Sequence, residues 1–274
     1  MKNFTIFLFL ISLLCSDNYA GNENTSIGGR SAGMGGASVT LSDLWAINNN
    51  QAGIAFINSM KAGFYFENRF LLKELSYKTV AIILPTKSGV FGLNYQFFGY
   101  SAYKEQKIGL TYAKSFGKNI SAGLQLDYLG TSLADNYGSK SAVTFELGIL
   151  AKLSHNVTLG AQLYNPVNAK FNDYNNEKIP SVIKLGINYT FSEKLIIAIE
   201  SEKNIQFDPI FKAGFEYKLL EFAYIRLGIS NNPIINTFGF GIDYHQFTID
   251  FASSIHQTLG YSPQFSIIYN FNRK

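Results

Sequence analysis

The sequence predicts an all-β protein: a fourteen-stranded antiparallel transmembrane β-barrel with an N-terminal plug inside its lumen. The first observation is a strict alternation of apolar and polar side chains that recurs along most of the chain. In the segment 90–98, for example, Phe91, Leu93 and Tyr95 alternate with small or polar residues. Successive side chains of a strand point to opposite faces, so each such segment has one apolar face and one polar face.

The lengths of the connections between the predicted strands distinguish a membrane barrel from a secreted β-sandwich. Short connections such as 85–88 and 192–194 follow the even-numbered strands, and longer ones such as 132–140 and 165–180 follow most odd-numbered strands. Outer-membrane barrels have short periplasmic turns and longer outer loops, whereas a sandwich has no reason to sort its loops by parity. The predicted strands are 60–68, 76–84, 89–98, 105–115, 120–131, 141–153, 157–164, 181–191, 195–203, 210–218, 222–230, 236–244, 247–256 and 263–271.

Composition supports this fold class. The chain has 274 residues, 47% of them hydrophobic, yet after residue 14 it has no apolar run near the roughly 20 residues of a membrane helix. The 24 Phe and 17 Tyr suit a lipid-facing band with aromatic girdles. The net charge of +4 is spread without basic runs, so we expect no nucleic-acid partner.

Both ends of the chain carry export signals. Lys2 and the apolar run 4–14 resemble a secretory signal peptide, with cleavage expected after Ala20. Cys15 raises a lipoprotein alternative, which the bulky Leu14 before it disfavours. The predicted division is therefore residues 1–20 as signal peptide, 21–59 as plug and 60–274 as barrel.

The last predicted strand has aromatic residues at alternate positions, which resembles the signal recognised by barrel-assembly machinery. Phe265, Tyr269 and Phe271 carry this pattern, and three further residues follow the last Phe. Barrel-assembly machinery and outer-membrane lipid are thus expected partners.

The predicted inward face carries charges of both signs and ten mid-strand glycines. On a lipid face each charge would cost a few kcal/mol, so we expect lumen solvation and cross-strand pairing; a substrate site is the alternative. Glycines there predict either a segment packed inside or simple barrel curvature. The charges are Asp127, Glu146, Lys184, Glu200, Lys212, Glu216, Arg226, Asp243 and Asp250.

Residues 21–59 lack the alternation and are the natural filler of the lumen. Gly28 and Gly33 have the spacing of a phosphate-binding loop, but Met34 stands where that loop requires Lys, and no strand precedes it. Glycines permit tight turns and close packing, which suits a segment folded inside a barrel. Ser42 or Asp43 is expected to cap a helix that starts there.

This segment resembles a known signature. The stretches RSAGMGGA at 30–37 and NNNQAGI at 48–54 are similar to the N-terminal signature of the PorV/PorQ family, which is related to FadL-type long-chain fatty-acid transporters. Gln51 stands where the family usually has Pro. The residues that we assign to this plug motif are Arg30, Ser31, Gly33, Met34, Gly35, Gly36, Asp43, Asn50 and Gly53.

The resemblance implies a fourteen-stranded barrel whose N-terminal segment plugs the lumen. FadL-type members move hydrophobic molecules through the barrel and out sideways, and PorV-type members assist type IX secretion. We expect a protein of the cell outer membrane, with both termini periplasmic, that passively transports a small hydrophobic molecule. The alternative is a non-transporting accessory or scaffold barrel of a type IX secretion system, with secretion proteins as partners.

No catalytic or cofactor site is expected, so the protein is predicted not to be an enzyme. His155 and His245 lie in predicted periplasmic turns and His256 lies near an outer loop, so the three cannot form one site. The longest outer loop, 165–180, carries Phe171 and Tyr174 and is the candidate for ligand capture, with a plain solvated loop as the alternative.

Overall fold

A computed structural model describes residues 24–134, 138–171 and 179–271. Within these ranges fourteen antiparallel strands close into one barrel, in which each strand pairs with its neighbours in sequence and β1 pairs with β14. The predicted strand number is confirmed. The strands are β1 Lys61–Asn68, β2 Ser76–Pro85, β3 Val90–Tyr100, β4 Tyr103–Phe116, β5 Ile120–Leu133, β6 Ser139–Lys152, β7 Val157–Tyr164, β8 Val182–Ser192, β9 Leu195–Asn204, β10 Ile210–Leu220, β11 Ala223–Ser230, β12 Ile235–Tyr244, β13 Phe247–His256 and β14 Gly260–Asn270.

The connections define two ends of the barrel. Those after even-numbered strands form the short-turn end, and those after odd-numbered strands form the long-loop end. Two expected long loops, 99–104 and 257–262, are wrong. Strand β14 begins at Gly260, which pairs with His256, so only residues 257–259 connect β13 to β14. The pairing of β3 with β4 continues to Tyr100 and Tyr103, so only residues 101–102 turn. Gly99, with a φ of 106°, adopts the left-handed backbone just before this turn.

The outer surface of the barrel is apolar. Every strand exposes at least one large hydrophobic side chain, such as Leu110, Leu185 and Leu227, each more than half exposed. Aromatic pairs at the short-turn end, including Phe91 with Tyr112 at 4.9 Å between ring centroids, add a band of rings there. Soluble monomeric proteins rarely expose apolar side chains on every strand of a sheet in this way.

Residues 24–59, here called the N-terminal segment, lie inside the barrel. The Gly29 N–H donates to Ser266 Oγ of β14 at 3.1 Å, and Ser121 Oγ of β5 donates to the Ala52 carbonyl at 2.9 Å. Strands β14 and β5 lie on different sides of the closed barrel. One short segment can contact both of them only from inside the lumen. The segment contains helix α1 Gly29–Gly33, helix α2 Ala46–Asn49 and a 3₁₀ helix Gln51–Phe56.

The expected helix start at Ser42 or Asp43 is wrong. Helix α2 begins at Ala46, after Trp45. The Asp43 carboxylate instead accepts the Trp45 N–H at 2.9 Å, which closes a turn before the helix. The polar side chain thus satisfies the backbone of a turn rather than of a helix.

The apolar core of the molecule lies where the N-terminal segment meets β1–β4 and β14. Leu44, Trp45, Ile47 and Ile54 of the segment are buried there against Tyr65 of the wall. None of the helices in the described ranges is both long enough and apolar enough to cross a membrane. The expected signal peptide, 1–20, lies outside the described residues.

Candidate functional site

A cavity of about 960 Å³ occupies the long-loop end of the lumen. Its walls come from β1 and β8–β14 with their loops, and its floor comes from the N-terminal segment. Ser26, Ala32, Gly35 and Gly36 form that floor. The lumen therefore has two parts, an empty chamber between the long loops and a filled part towards the short turns.

The chamber wall is largely apolar and includes aromatic rings. Phe70 lies edge-on to His256, with ring centroids 6.0 Å apart and planes at 84°. The Phe70 N–H donates to Ser262 Oγ at 2.9 Å, which fixes the loop against β14. Phe70 and Leu71 have left-handed φ angles of 55° and 59°, a conformation that costs a non-glycine residue about 1 kcal/mol or more.

Inward glycines admit the N-terminal segment below the chamber. A Cβ built at Gly214 would lie 2.6 Å from the Met34 Cβ, and one built at Gly239 would lie 3.0 Å from the Gly33 Cα. A Cβ at Gly228 would collide with the Gly35 backbone nitrogen. These contacts favour a packed segment over curvature alone as the reason for the glycines.

One contact between the segment and the wall is an ion pair. Arg30 Nε and Nη2 donate to the two carboxylate oxygens of Glu216 on β10, at 2.8 and 2.6 Å. Arg226 also donates to Glu216, at 2.6 Å, and to Asp250, at 2.7 Å. Burial lowers the pKa of Arg30, but the charges of Glu216 and Asp43 outweigh it, so the pKa lies above its ordinary value. Arg30 stays charged and bidentate, which is a strong and directional geometry.

A second contact holds the backbone of the segment. Glu200 Oε2 on β9 accepts the Ser38 N–H at 2.7 Å and the Val39 N–H at 2.8 Å. Its other oxygen accepts from Lys212 Nζ at 3.1 Å. Two amides and one ammonium group thus stabilise this buried carboxylate.

The third contact between the segment and the wall is buried in the filled part of the lumen and involves side-chain amide groups. Gln51 Nε2 donates to Glu146 Oε2 on β6 at 2.6 Å, and Gln162 Nε2 donates to the same oxygen at 2.7 Å. The other Glu146 oxygen accepts from Lys107 Nζ. Lys107 Nζ also lies 3.5 Å from Asp127 Oδ2.

The structure places the residues of the plug motif on this inner surface. Asn50 Nδ2 donates to the Val39 carbonyl at 2.6 Å and to the Ile149 carbonyl of β6 at 3.1 Å. Ser31 Oγ donates to the Ile27 carbonyl at 2.9 Å, and Gly53 packs under Leu41. The motif residues therefore join the segment to itself and to the wall.

Most of the predicted lumen charges are buried and paired. Asp127, Glu146, Lys184, Lys212, Glu216 and Arg226 are all buried. Asp243 lies only half-buried near the short-turn end, where Thr248 Oγ1 donates to it at 2.6 Å.

The sequence analysis missed Lys107 and Glu202, which belong to the same networks. Lys107 has the strand parity of the inward Gly109, so the alternation could have found it. Glu202 has the strand parity of the inward Glu200 on β9, so the same alternation could have found it. Its carboxylate accepts from Lys212 Nζ at 2.6 Å.

The candidate capture loop has a mixed outcome. Phe171 is buried in an apolar cluster with Leu129, Tyr164, Ile179 and Val182. Its ring packs against the wall and is not displayed on the surface. Tyr174 lies outside the described residues, so capture by this loop stays a prediction.

The histidines lie as far apart as expected. His155 and His245 are at short turns, and His256 ends β13 at the long-loop end. Among the described residues, no group of three or more His, Cys, Asp or Glu side chains is arranged to hold a metal ion.

No family model matches the chain, and no curated protein matches it either. Solved structures do. The chain is similar to the CymD monoaromatic hydrocarbon channel, with a TM-score of 0.71 and 13% identity over 91% of this chain and 98% of that one. It is also similar to the Pseudomonas putida toluene transporter TodX, with a TM-score of 0.67 and 14% identity over 92% and 100%. A Pseudomonas aeruginosa FadL homologue gives a TM-score of 0.65 and 14% identity over 94% and 100%. The chain therefore has the FadL-like barrel fold.

Proposed function

We propose that this chain is an outer-membrane barrel of FadL-like type that lets small hydrophobic molecules cross the membrane passively. The observation that carries the proposal is the chamber of about 960 Å³ between the long loops, floored by the N-terminal segment. Ligand sites are typically concave, largely apolar and of about 300–1,000 Å³. Solved structures of the same fold include proteins described as a monoaromatic hydrocarbon channel and a toluene transporter.

The membrane location is supported by the outer surface. Exposed side chains such as Leu110 and Leu185 suit lipid, and the aromatic pairs at the short-turn end suit an interface. We place the long-loop end outside the cell and both termini in the periplasm, after removal of residues 1–20. The pattern of Phe265, Tyr269 and Phe271 supports insertion by barrel-assembly machinery.

The proposed route needs a movement of the N-terminal segment. A ligand enters between the long loops and reaches the floor formed by Ser26, Ala32, Gly35 and Gly36. Passage then requires the floor to shift, and the contacts that oppose this shift are Arg30 with Glu216 and the Ser38 amide with Glu200. No covalent step is involved, so the proposed role is not that of an enzyme.

A second candidate function follows from the plug motif. The residues from Arg30 to Gly53 are similar to the PorV/PorQ signature, and they fill the lumen towards the short turns. A filled lumen suits an accessory or scaffold barrel of a type IX secretion system, for which transport is not needed. A stoichiometric secretion protein that co-purifies with a barrel impermeable to small molecules would favour this candidate.

The test measures permeability in proteoliposomes. Purified barrel is reconstituted, and entry of an uncharged aromatic alcohol is compared with entry of a sugar of similar size. We expect the wild type to pass the aromatic alcohol faster than protein-free vesicles do. Deletion of residues 28–49, in barrels shown to be folded by their heat-modifiable migration, should change the permeability to one or both solutes. Unchanged permeability to both would overturn the transport proposal.

A further inference from the structure

We infer that the chamber at the long-loop end takes uncharged apolar molecules and rejects carboxylates. The inference rests on the proposed function and names the class of substrate for the same site. It starts from the ionisable side chains that line the chamber: Glu67, Arg69, Glu202, Asp208, Lys212 and His256.

Both lining cations are already engaged by carboxylates of the wall. Lys212 Nζ donates to Glu202 at 2.6 Å and to Glu200 at 3.1 Å. Arg69 Nε lies 3.4 Å from Glu67 Oε1, and its guanidinium lies 5.5 Å from the ring centroid of Phe98. A ligand carboxylate would have to displace one of these partners to obtain a cation.

One ring nitrogen of the lining histidine is already engaged by the turn that follows β13. His256 Nδ1 accepts the N–H groups of Thr258 and Leu259, each at 3.1 Å. This nitrogen is therefore occupied by the backbone and does not offer a contact to a ligand in the chamber.

The lining groups carry an excess of negative charge. Glu67, Glu202 and Asp208 oppose Arg69 and Lys212, which leaves one uncompensated carboxylate. Asp208 is exposed at the rim, where an entering molecule passes first. Like charges repel, so an entering carboxylate is disfavoured at this rim relative to a neutral molecule of the same shape.

An uncharged apolar molecule meets no such barrier. Tyr65, Phe70, Val182, Ile210 and Ile235 line the same chamber. Contact with these side chains removes apolar surface of the ligand from water, which favours binding without an ionic partner. The chemistry of the wall thus fits neutral aromatic or aliphatic molecules.

Glu202 controls this preference. It is the nearest carboxylate to Lys184, whose buried Nζ lies 3.8 Å from Glu202 Oε2. It is also one of the two partners of Lys212. Replacing Glu202 by Gln keeps the shape, leaves Lys212 paired with Glu200, and removes the carboxylate that lies 3.8 Å from Lys184.

The test compares two ligands that share a ring and differ in charge. Binding of 2-naphthalenemethanol and of 2-naphthoate is measured by equilibrium dialysis at neutral pH, with protein-free micelles as the blank. We expect the wild type to bind the alcohol about tenfold more tightly than the carboxylate. In the E202Q variant the ratio of carboxylate binding to alcohol binding should rise about tenfold over that of the wild type.

Two further variants make the result decisive. D208N, at the exposed rim, should raise carboxylate binding to a smaller extent without touching the buried network. E193Q, in a short turn at the opposite end, is the matched control and should change nothing. Equal binding of both ligands by the wild type, or no gain in carboxylate binding in E202Q and D208N, would overturn the inference. Failure of the proposed function is seen separately, as entry of the neutral alcohol no faster than into protein-free vesicles.

Discussion

The two halves of the N-terminal segment differ in the balance of charged and apolar contacts that hold them in the barrel. The first half, residues 24–41, borders the chamber and makes two charged contacts with the wall, Arg30 on Glu216 and the Ser38 amide on Glu200, beside a small apolar cluster that includes Met34. The second half, residues 42–59, buries Leu44 and Trp45 in the core and leads directly into β1.

This difference indicates which half can move. Withdrawing one large apolar side chain from the core costs about 1.5–3 kcal/mol, and several such side chains lie in the second half. Ion pairs can exchange partners: Glu216 keeps Arg226 when Arg30 leaves, and Arg30 is already 22% exposed. We therefore expect the first half to be displaced from the lumen at a lower cost in free energy than the second half.

The largest effect is expected from breaking the deep contact of the second half. Glu146→Ala removes the acceptor of Gln51, Gln162 and Lys107, and leaves the buried ammonium with Asp127 as its remaining close carboxylate. We expect a loss of about 3–5 kcal/mol in the free energy of unfolding. Urea unfolding in detergent, monitored by the fluorescence of Trp45, measures this loss in the free energy of unfolding. The Glu193→Ala variant is the control. A loss no larger than that of the control would show that the network contributes little.

A smaller effect is expected from crowding the first half. A Cβ at Gly228 would collide with the backbone of Gly35, so Gly228→Ala should destabilise the protein by about 1–3 kcal/mol. The matched control is Gly130→Ala, where the Cβ would meet only the Tyr128 ring at 3.7 Å. The midpoints of thermal unfolding of the two variants are compared. Equal midpoints would contradict close packing of the N-terminal segment on β11.

Removing the ionic anchor should sharpen the contrast between the halves. Arg30→Gln replaces a bidentate, charge-assisted contact and should cost about 1–2 kcal/mol, because the pair is only partly exposed. Hydrogen exchange should rise in residues 24–41 and stay unchanged in 42–59, and permeability to the aromatic alcohol should increase. Lys218→Gln, in an exposed pair, is the control. Equal acceleration of both halves would show that they move as one unit.

The smallest effect is expected at the surface. The hydrogen bond from Lys218, at 2.7 Å, lowers the pKa of Glu221. A lowered pKa means that any stabilisation is present above the ordinary pKa and is lost as the pH falls through the lowered value. Because the Glu221 side chain is 86% exposed, solvent screens this pair, and Glu221→Gln should leave the thermal midpoint unchanged from neutral to acidic pH. A clear shift would show that this pair is coupled to the lumen network.

The sequence analysis predicted the strands well because their signal is local. The alternation around Phe91 or Leu126 identifies a strand and its two faces without knowledge of any partner. The same rule placed Glu146, Glu216 and Arg226 inside, and it would have placed Lys107 there too. It failed at 99–104, because pairing between β3 and β4 depends on both strands at once.

The contacts between the N-terminal segment and the barrel wall could not be predicted from the sequence alone. Gly228 meets Gly35, and Glu146 meets Gln51, across long stretches of sequence. The sequence suggested that glycines admit a filler but did not say which glycine faces which residue. Phe171 looked like a surface residue in a polar loop, and only the fold brings Leu129 and Val182 to cover it.

By itself, the sequence determined the class of fold, the strand number and the faces, because a two-residue period acts within each strand. The tertiary structure decided the division of the lumen into a chamber and a filled part, and the choice of partners for each buried charge. The physical reason is that these features depend on barrel closure, which brings strands distant in sequence to one segment. Whether a lysine such as Lys212 can meet a ligand depends on which carboxylate the closed barrel places beside it.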